Sequence, residues 1–176
     1  MKTLADLIDY LDHLENAPPL AALTEKLADL EIDWRQLQPY VLYSAHTYSR
    51  NLIKAGRHYN LLVLCWKNGQ RSPIHNHAGS SCAVRVLKGV MTETIFEFAP
   101  NGHVYARTSH DAPAGTIIGS VDKDMHQISN LQSGDAELIT LHLYSPPLLV
   151  MGTYTLYDLA RGEEPMYLAF IDAAGI

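Results

Sequence analysis

Apolar residues in the first thirty positions recur three and four apart: Leu4, Leu7, Ile8 and Leu11, then Leu20, Leu23, Leu27 and Leu30, with Pro18 and Pro19 between the runs. Positions spaced in this way share one face of a helix, so the pattern predicts two amphipathic helices laid on a core. A further helical turn is expected over residues 33–37. From about Tyr43 the period shortens. "YNLLVLCW" stops at "KNGQ", "CAVRVL" at "KG", "VMTETIFEF" at "APNG" and "AELITLHLYS" at "PP". Short apolar or alternating runs punctuated by Gly, Pro and Asn read as strands, and this many of them predict a sandwich or barrel. No repeat, low-complexity tract or linker interrupts the chain. The expectation is one mainly β domain over 1–176, with a helical segment at 1–42 and a β-barrel at 43–176.

Composition narrows the possible partners. Hydrophobic residues make up 47% of the 176 positions and charged residues 18%, enough apolar content for a sizeable core. A net charge of -6 argues against a general nucleic-acid or anionic-membrane binder. No run approaches the ~20 apolar residues that span a bilayer. The start, "MKTLADLIDYLDHLENA", lacks the basic region and apolar run of a signal peptide. Cys65 and Cys82 do not make a disulfide framework, so a reducing cytoplasm is the expected setting.

The candidate chemistry lies in "RSPIHNHAGSSCAVRVLKG". On a strand, His75 and His77 would point to the same face and could offer two imidazoles to one ion. Taken alone, the pair reads equally well as two hydrogen-bonded histidines. The spacing around it adds information: Gly69 and Gly89 flank it in the arrangement Gly-x5-His-x-His-x4-Cys-x6-Gly. That arrangement resembles the first motif of the cupins, double-stranded β-helix (jelly-roll) barrels with a metal inside. His126-Gln-Ile-Ser-Asn130 resembles the His-x3-Asn end of their second motif. The resemblance implies His75, His77 and His126 as the metal ligands. Most cupins carry a glutamate where this chain has Cys82, which leaves three neutral nitrogen donors. Such a set suits Fe(II), Zn(II), Cu(II) or Ni(II), and it keeps coordination positions open, as a catalytic site requires. No carboxylate is expected near the triad.

Five ordered segments, "YSRNLI", "LCW", "IHNHAGSSC", "MHQISN" and "LHLYSPP", are similar to one cupin branch, the thiol dioxygenases, and within it to the cysteine dioxygenases. The resemblance runs from about Tyr43 to Met166. It implies Fe(II) as cofactor and L-cysteine and O2 as partners. The substrate would chelate the iron through its thiolate and amine, and both oxygen atoms would reach sulfur to give cysteine sulfinic acid. Binding to the metal would lower the thiol pKa, and sulfinate is the second rung of thiol oxidation. Arg50 resembles the arginine that holds the substrate carboxylate, with Tyr48 beside it and Met166 near the substrate. A guanidinium fork matches a carboxylate in a way lysine does not. The related 3-mercaptopropionate dioxygenases carry glutamine at that position, so Arg50 favours cysteine.

Thr140, His142 and Tyr144 alternate along "TLHLY" and so share one strand face. The family places a serine, histidine and tyrosine relay there, and threonine keeps the hydroxyl of the first member. Cys82 falls where animal cysteine dioxygenases carry the cysteine that joins the active-site tyrosine in a thioether, here Tyr144. Bacterial members, which "HAGS" resembles, usually have glycine instead. A crosslink and a free buried thiol are both open readings at this stage. Two other functions also remain open: dioxygenation of another small thiol such as 3-mercaptopropionate, and a non-enzymatic metal-binding cupin sensor. A monomer is expected. Cys65 is expected in the core, and His13, His46, His58, His103 and His110 are expected to be exposed or hydrogen-bonded.

Overall fold

The computed structural model describes residues 2–121, 124–156, 161–166 and 169–170. Two helices come first, α1 (Leu4–Asp12) and α2 (Leu20–Asp29), followed by a short α3 (Trp34–Leu37) and one 3₁₀ turn (Gln38–Tyr40). Twelve strands follow among the described residues: β1 (Ser49–Ala55), β2 (Asn60–Trp66), β3 (Ile74–His75), β4 (Ser81–Lys88), β5 (Val90–Phe98), β6 (Val104–Pro113), β7 (Ile117–Ser120), β8 (Met125–Ser129), β9 (Leu138–Ser145), β10 (Val150–Tyr154), β11 (Arg161–Pro165) and β12 (Ala169–Phe170). They form two six-stranded sheets, ordered β12-β1-β2-β9-β4-β7 and β11-β10-β3-β8-β5-β6. Each sheet takes strands from distant parts of the chain in antiparallel pairs, with β1–β12 the parallel exception. This is the double-stranded β-helix that the sequence suggested.

Local chemistry explains how the helices start and dock. Thr3 caps α1 in a capping box, its hydroxyl accepting from the Asp6 amide at 3.1 Å while the Asp6 carboxylate accepts from the Thr3 amide at 3.1 Å. Arg85, on β4, donates to the Leu27 and Leu30 carbonyls at 2.7 and 2.5 Å, satisfying acceptors that the end of α2 leaves open. Leu7, Leu11, Leu23 and Leu27 are fully buried against Leu61, Val63, Ala83, Leu141 and Leu143. Burying one leucine contributes ~1.5–3 kcal/mol, so this layer fixes the outer face of the first sheet.

The opposite face of β2, β4 and β9 looks into the barrel. Leu62, Leu64, Trp66, Cys82, Val84, Leu138 and Tyr144 pack there against Met91, Ile128 and Met151 of the second sheet. The outer side of that second sheet is partly solvated, since β6 is exposed along seven consecutive positions. The glycines expected at the turns have left-handed backbones, Gly69 with φ 80° and Gly89 with φ 81°. At Gly89 a Cβ would run into the Glu137 carbonyl oxygen, so this turn has no room for a side chain.

Candidate metal centre and substrate pocket

The three histidines arrive from different elements. His75 ends β3, where it pairs with His126 of β8. The expectation of one strand carrying both His75 and His77 needs correction, because β3 is only two residues long and His77 lies in the loop after it. That loop is held by Asn76. The Asn76 backbone N–H donates to the Gly152 carbonyl at 3.0 Å, its Oδ1 accepts from the Gly152 amide at 3.1 Å, and its Nδ2 donates to the Tyr154 hydroxyl at 3.0 Å. A further turn bond joins the Ser80 amide to the His77 carbonyl at 2.9 Å.

Each imidazole uses Nδ1 away from the centre. His75 Nδ1–H donates to the Pro73 carbonyl at 3.0 Å, His77 Nδ1 faces Ser120 Oγ at 3.4 Å, and His126 Nδ1–H donates to Glu93 Oε1 at 2.6 Å. The Nε2 atoms remain for a common ligand, and those of His77 and His126 are 3.3 Å apart. One potential donor atom from each residue lies within 4.8 Å of the others, and all three residues are buried. Burial is the main reason the pKa of His75 falls to about 3 and that of His77 falls well below the ordinary value. Neutral imidazoles with converging lone pairs are the form in which histidine ligates a metal. The donor set therefore fits a divalent transition ion.

Glu93 was missed by sequence reading, and its presence corrects the expectation that no carboxylate lies near the triad. It is buried on β5, with Oε1 on His126 and Oε2 3.1 Å from His110 Nε2. It supports a ligand and is not a fourth ligand itself, since one of its oxygens is turned to each histidine. An acceptor behind a ligating imidazole fixes the tautomer and ring orientation.

Tyr48, Arg50, Cys82, His142, Tyr144 and Met166 line the same pocket, together with Leu64, Trp66, Ser72, Val84, Ile128 and Met151, whereas Thr140 stands behind His142 and does not line it. The free space at its centre is small, about 10 Å³, and across Tyr48 and Arg50 it adjoins an outer cavity of about 230 Å³ that reaches Arg71 and Glu164. Arg50 extends from β1 and Tyr48 precedes that strand. Arg50 Nε donates to the Tyr48 hydroxyl at 3.0 Å, and Nη2 contacts the same oxygen. Its other neighbours are the Met166 sulfur at 2.8 Å and the Met151 sulfur at 3.9 Å. None of these partners is an anion. The Tyr48 ring also stacks on Trp66, with centroids 4.1 Å apart and planes 8° from parallel.

Thr140, His142 and Tyr144 share the inner face of β9, as the alternation predicted. His142 Nε2 is 2.9 Å from Thr140 Oγ1, and His142 Nδ1 is 3.1 Å from the Tyr144 hydroxyl. Burial holds the His142 pKa at about 3, so this ring is neutral. The Tyr144 ring lies against His77, with centroids 5.7 Å apart. Cys82 is directly opposite Tyr144 in the β4–β9 register, and its sulfur is 3.9 Å from His142 Nδ1. Burial pushes the Cys82 thiol far above its ordinary pKa, so it stays protonated. Cys65 is in the core as expected, and His13, His46 and His103 are exposed. His110 holds Glu93, whereas His58 is half-buried and its Nε2 has no hydrogen-bond partner among the described residues.

The family model described as cysteine dioxygenase type I matches residues 2–156. Cysteine dioxygenase type 1 of Homo sapiens is 31% identical over 160 residues, covering 83% of this chain and 76% of that protein. The protein of the same name from Danio rerio is 29% identical over 168 residues, covering 87% and 79%. Among solved structures, a protein from Thermus thermophilus superposes with a TM-score of 0.53 at 14% identity, over 63% of this chain and 94% of that one. One from Bacillus halodurans gives 0.52 at 14% identity, over 66% and 81%. At such identity the structural likeness speaks for the fold alone.

Proposed function

The chain belongs to the cysteine dioxygenase type I family, and from that premise we propose that it oxidises L-cysteine with O2 to cysteine sulfinic acid, using Fe(II) held by His75, His77 and His126. One observation carries the reading: three buried imidazoles converge in one pocket beside a guanidinium that has no anionic partner among the described residues. Iron held by these histidines would supply the redox chemistry for a reaction in which both atoms of O2 end on one thiol sulfur.

The protein's own groups do the rest. Arg50 takes the substrate carboxylate in a two-point bond, with the Tyr48 hydroxyl fixing the guanidinium plane. That anchor places the thiol and amine of a three-carbon amino acid toward the histidines. Met151 and Met166 give Arg50 polarisable neighbours that are weak acceptors, so its donors remain available for a stronger one. Tyr144 presents its hydroxyl beside His77, backed by His142 and Thr140, as a proton donor to the reacting oxygen. Glu93 fixes the tautomer of His126. Leu64, Val84 and Ile128 keep water from the reacting sulfur.

Cys82 and Tyr144 support a further step in the same reading. The thiol S–H and one tyrosine ring C–H break and a C–S bond forms, with O2 taking the two electrons and two protons to leave as hydrogen peroxide, which joins sulfur to the ring as a thioether. Intact mass after turnover is expected to show a population two hydrogens lighter, and a wholly unmodified mass would sink the crosslink.

The main test is oxygen uptake by Fe(II)-loaded protein given L-cysteine, with sulfinate quantified and 3-mercaptopropionate run alongside. One sulfinate per O2 with cysteine preferred supports the proposal. Preference for the other thiol overturns the role of Arg50 but keeps the reaction type. Absence of uptake in iron-containing protein overturns the enzyme reading and returns the site to metal-binding sensors.

A further inference from the structure

The hydrogen bonds behind Tyr144 run one way, and the residue that gives them direction is Trp66. Its indole N–H donates to Thr140 Oγ1 at 3.1 Å. An indole nitrogen donates only, so at that contact Thr140 must accept. The hydroxyl then has one proton of its own to place. Thr140 is fully buried, and its other side-chain hydrogen-bond partner is His142 Nε2, at 2.9 Å. Were Nε2 also to donate, the hydroxyl would accept twice and its proton would be left unpaired in the core, which buried polar groups avoid. Thr140 therefore donates to Nε2.

A neutral imidazole carries one N–H, so with Nε2 accepting the proton sits on Nδ1. Nδ1 is 3.1 Å from the Tyr144 hydroxyl oxygen and 3.9 Å from Cys82 sulfur, so the nearer oxygen is its acceptor. Resting on the reading above, in which Tyr144 faces the substrate, we propose that Trp66 is a positioning residue that sets the polarity of the whole chain. Its N–H locks His142 as the Nδ1–H tautomer, so that His142 donates to Tyr144 and cannot accept the phenol proton. Tyr144 then keeps its proton for the pocket or for the Cys82 sulfur, the other neighbour of its hydroxyl. The same indole also stacks on Tyr48, which holds Arg50. One side chain thus braces the carboxylate anchor with its ring and orders the proton donor with its nitrogen.

The test is a ¹⁵N NMR measurement of imidazole tautomers in the metal-free, full-length protein, with His142 assigned by loss of its signals in His142→Gln. The wild type is expected to show the proton on Nδ1 of His142 and a bare Nε2. Trp66→Phe keeps an aromatic ring on Tyr48 and removes the donor together with part of the ring volume. It is expected to bring the two nitrogen shifts together as both tautomers populate, while Thr140→Ser keeps the wild-type pattern. A wild-type proton on Nε2 overturns the proposal even if the variants fail to fold. An unchanged tautomer in folded Trp66→Phe overturns the part given to Trp66.

A second readout comes from the iron-loaded enzyme. Trp66→Phe is expected to lose ~10-fold in kcat with little change in the KM for cysteine, as for loss of a supporting group behind a functional side chain. A rise in KM alone would place the effect in the Tyr48 stack and not in the relay. The two levels fail separately: an active enzyme with the wrong tautomer removes this inference and leaves the proposed reaction standing. The expected tautomer in an inactive protein leaves the polarity of the chain intact and removes the reaction.

Discussion

β9 has two faces that differ in kind. Ile139, Leu141 and Leu143 press outward onto the helical layer, and their own side chains act there through apolar burial alone. Thr140, His142 and Tyr144, one residue out of step, face the histidine centre and are joined in a directed hydrogen-bond chain. The strand is buried over all eight residues, yet stability rests on one side and chemistry on the other. Apolar packing is tolerant of detail and sums over area, whereas the inner face depends on single atoms at single distances. The helical layer can thus carry the fold while the inner face holds buried polar groups that add little to it.

The sharpest way to break this comparison is to damage one face and look for the effect on the other. His126→Ala removes an inner ligand. Iron content per chain is expected to collapse and turnover to fall by at least ~10³-fold, while the melting temperature of metal-free protein moves less than for any outer leucine. Leu141→Ala is the mirror experiment. It should cost ~2–5 kcal/mol and lower the melting temperature by ~5–15 °C, with turnover of the folded protein at 25 °C of the same order as wild type. If Leu141→Ala also removed activity in folded protein, the two faces would not be independent.

Smaller effects refine the inner face itself. Arg50→Gln is expected to lower kcat/KM for cysteine by ~10²-fold, mainly through KM, as for loss of a bidentate carboxylate clamp. Glu93→Gln keeps an acceptor for His126 but removes the charge, and should weaken iron binding by ~10-fold in a competition titration. His142 contributes to the pH dependence of stability, alongside His75 and His77, whose pKa values burial also lowers. Its pKa in the fold is about 3 against 6.5 unperturbed, with burial the leading cause. Between those values the unfolded chain takes up a proton that the folded chain refuses. Stability is therefore fully present above pH 6.5 and declines as pH falls toward 3, by up to ~1.4 kcal/mol per pH unit for this histidine. Urea midpoints of metal-free protein at several pH values between about 7 and 5 should show the decline, with a shallower slope for His142→Gln.

The sequence exposed those parts of the design that local period can carry. The leucines of α1 and α2 announced helices, and "TLHLY" announced a shared face because a strand alternates whatever it is paired with. Motif spacing brought out the triad, Arg50 and Cys82. Glu93 escaped because "TETIFEF" alternates charge and hydroxyl residues in a way that reads as solvent-facing. In the fold, Thr92 and Thr94 face Asp111 and Ser109 near water while Glu93 points inward to His126 and His110, partners 33 and 17 positions away. Nothing local marks such a pairing. The extra residue that shifts register between Ile95 and Phe96 further blurs which positions are inner. Trp66 stood out only as part of the segment "LCW" and with no role of its own, since its distinguishing contact is with Thr140 on the neighbouring strand.

Asn76 acts as a mechanical tie. It ties the His77 loop to Gly152 in both directions, and at Gly152 a Cβ would stand 2.6 Å from Asn76 Oδ1, so the two backbones meet with no slack. The next residue back on that strand is Met151, whose sulfur abuts Arg50. The seat of the metal and the seat of the substrate are thus bolted to one rail. A displacement of β10 carries both together, and the spacing between carboxylate anchor and metal, the gauge by which a small amino acid is measured, is kept.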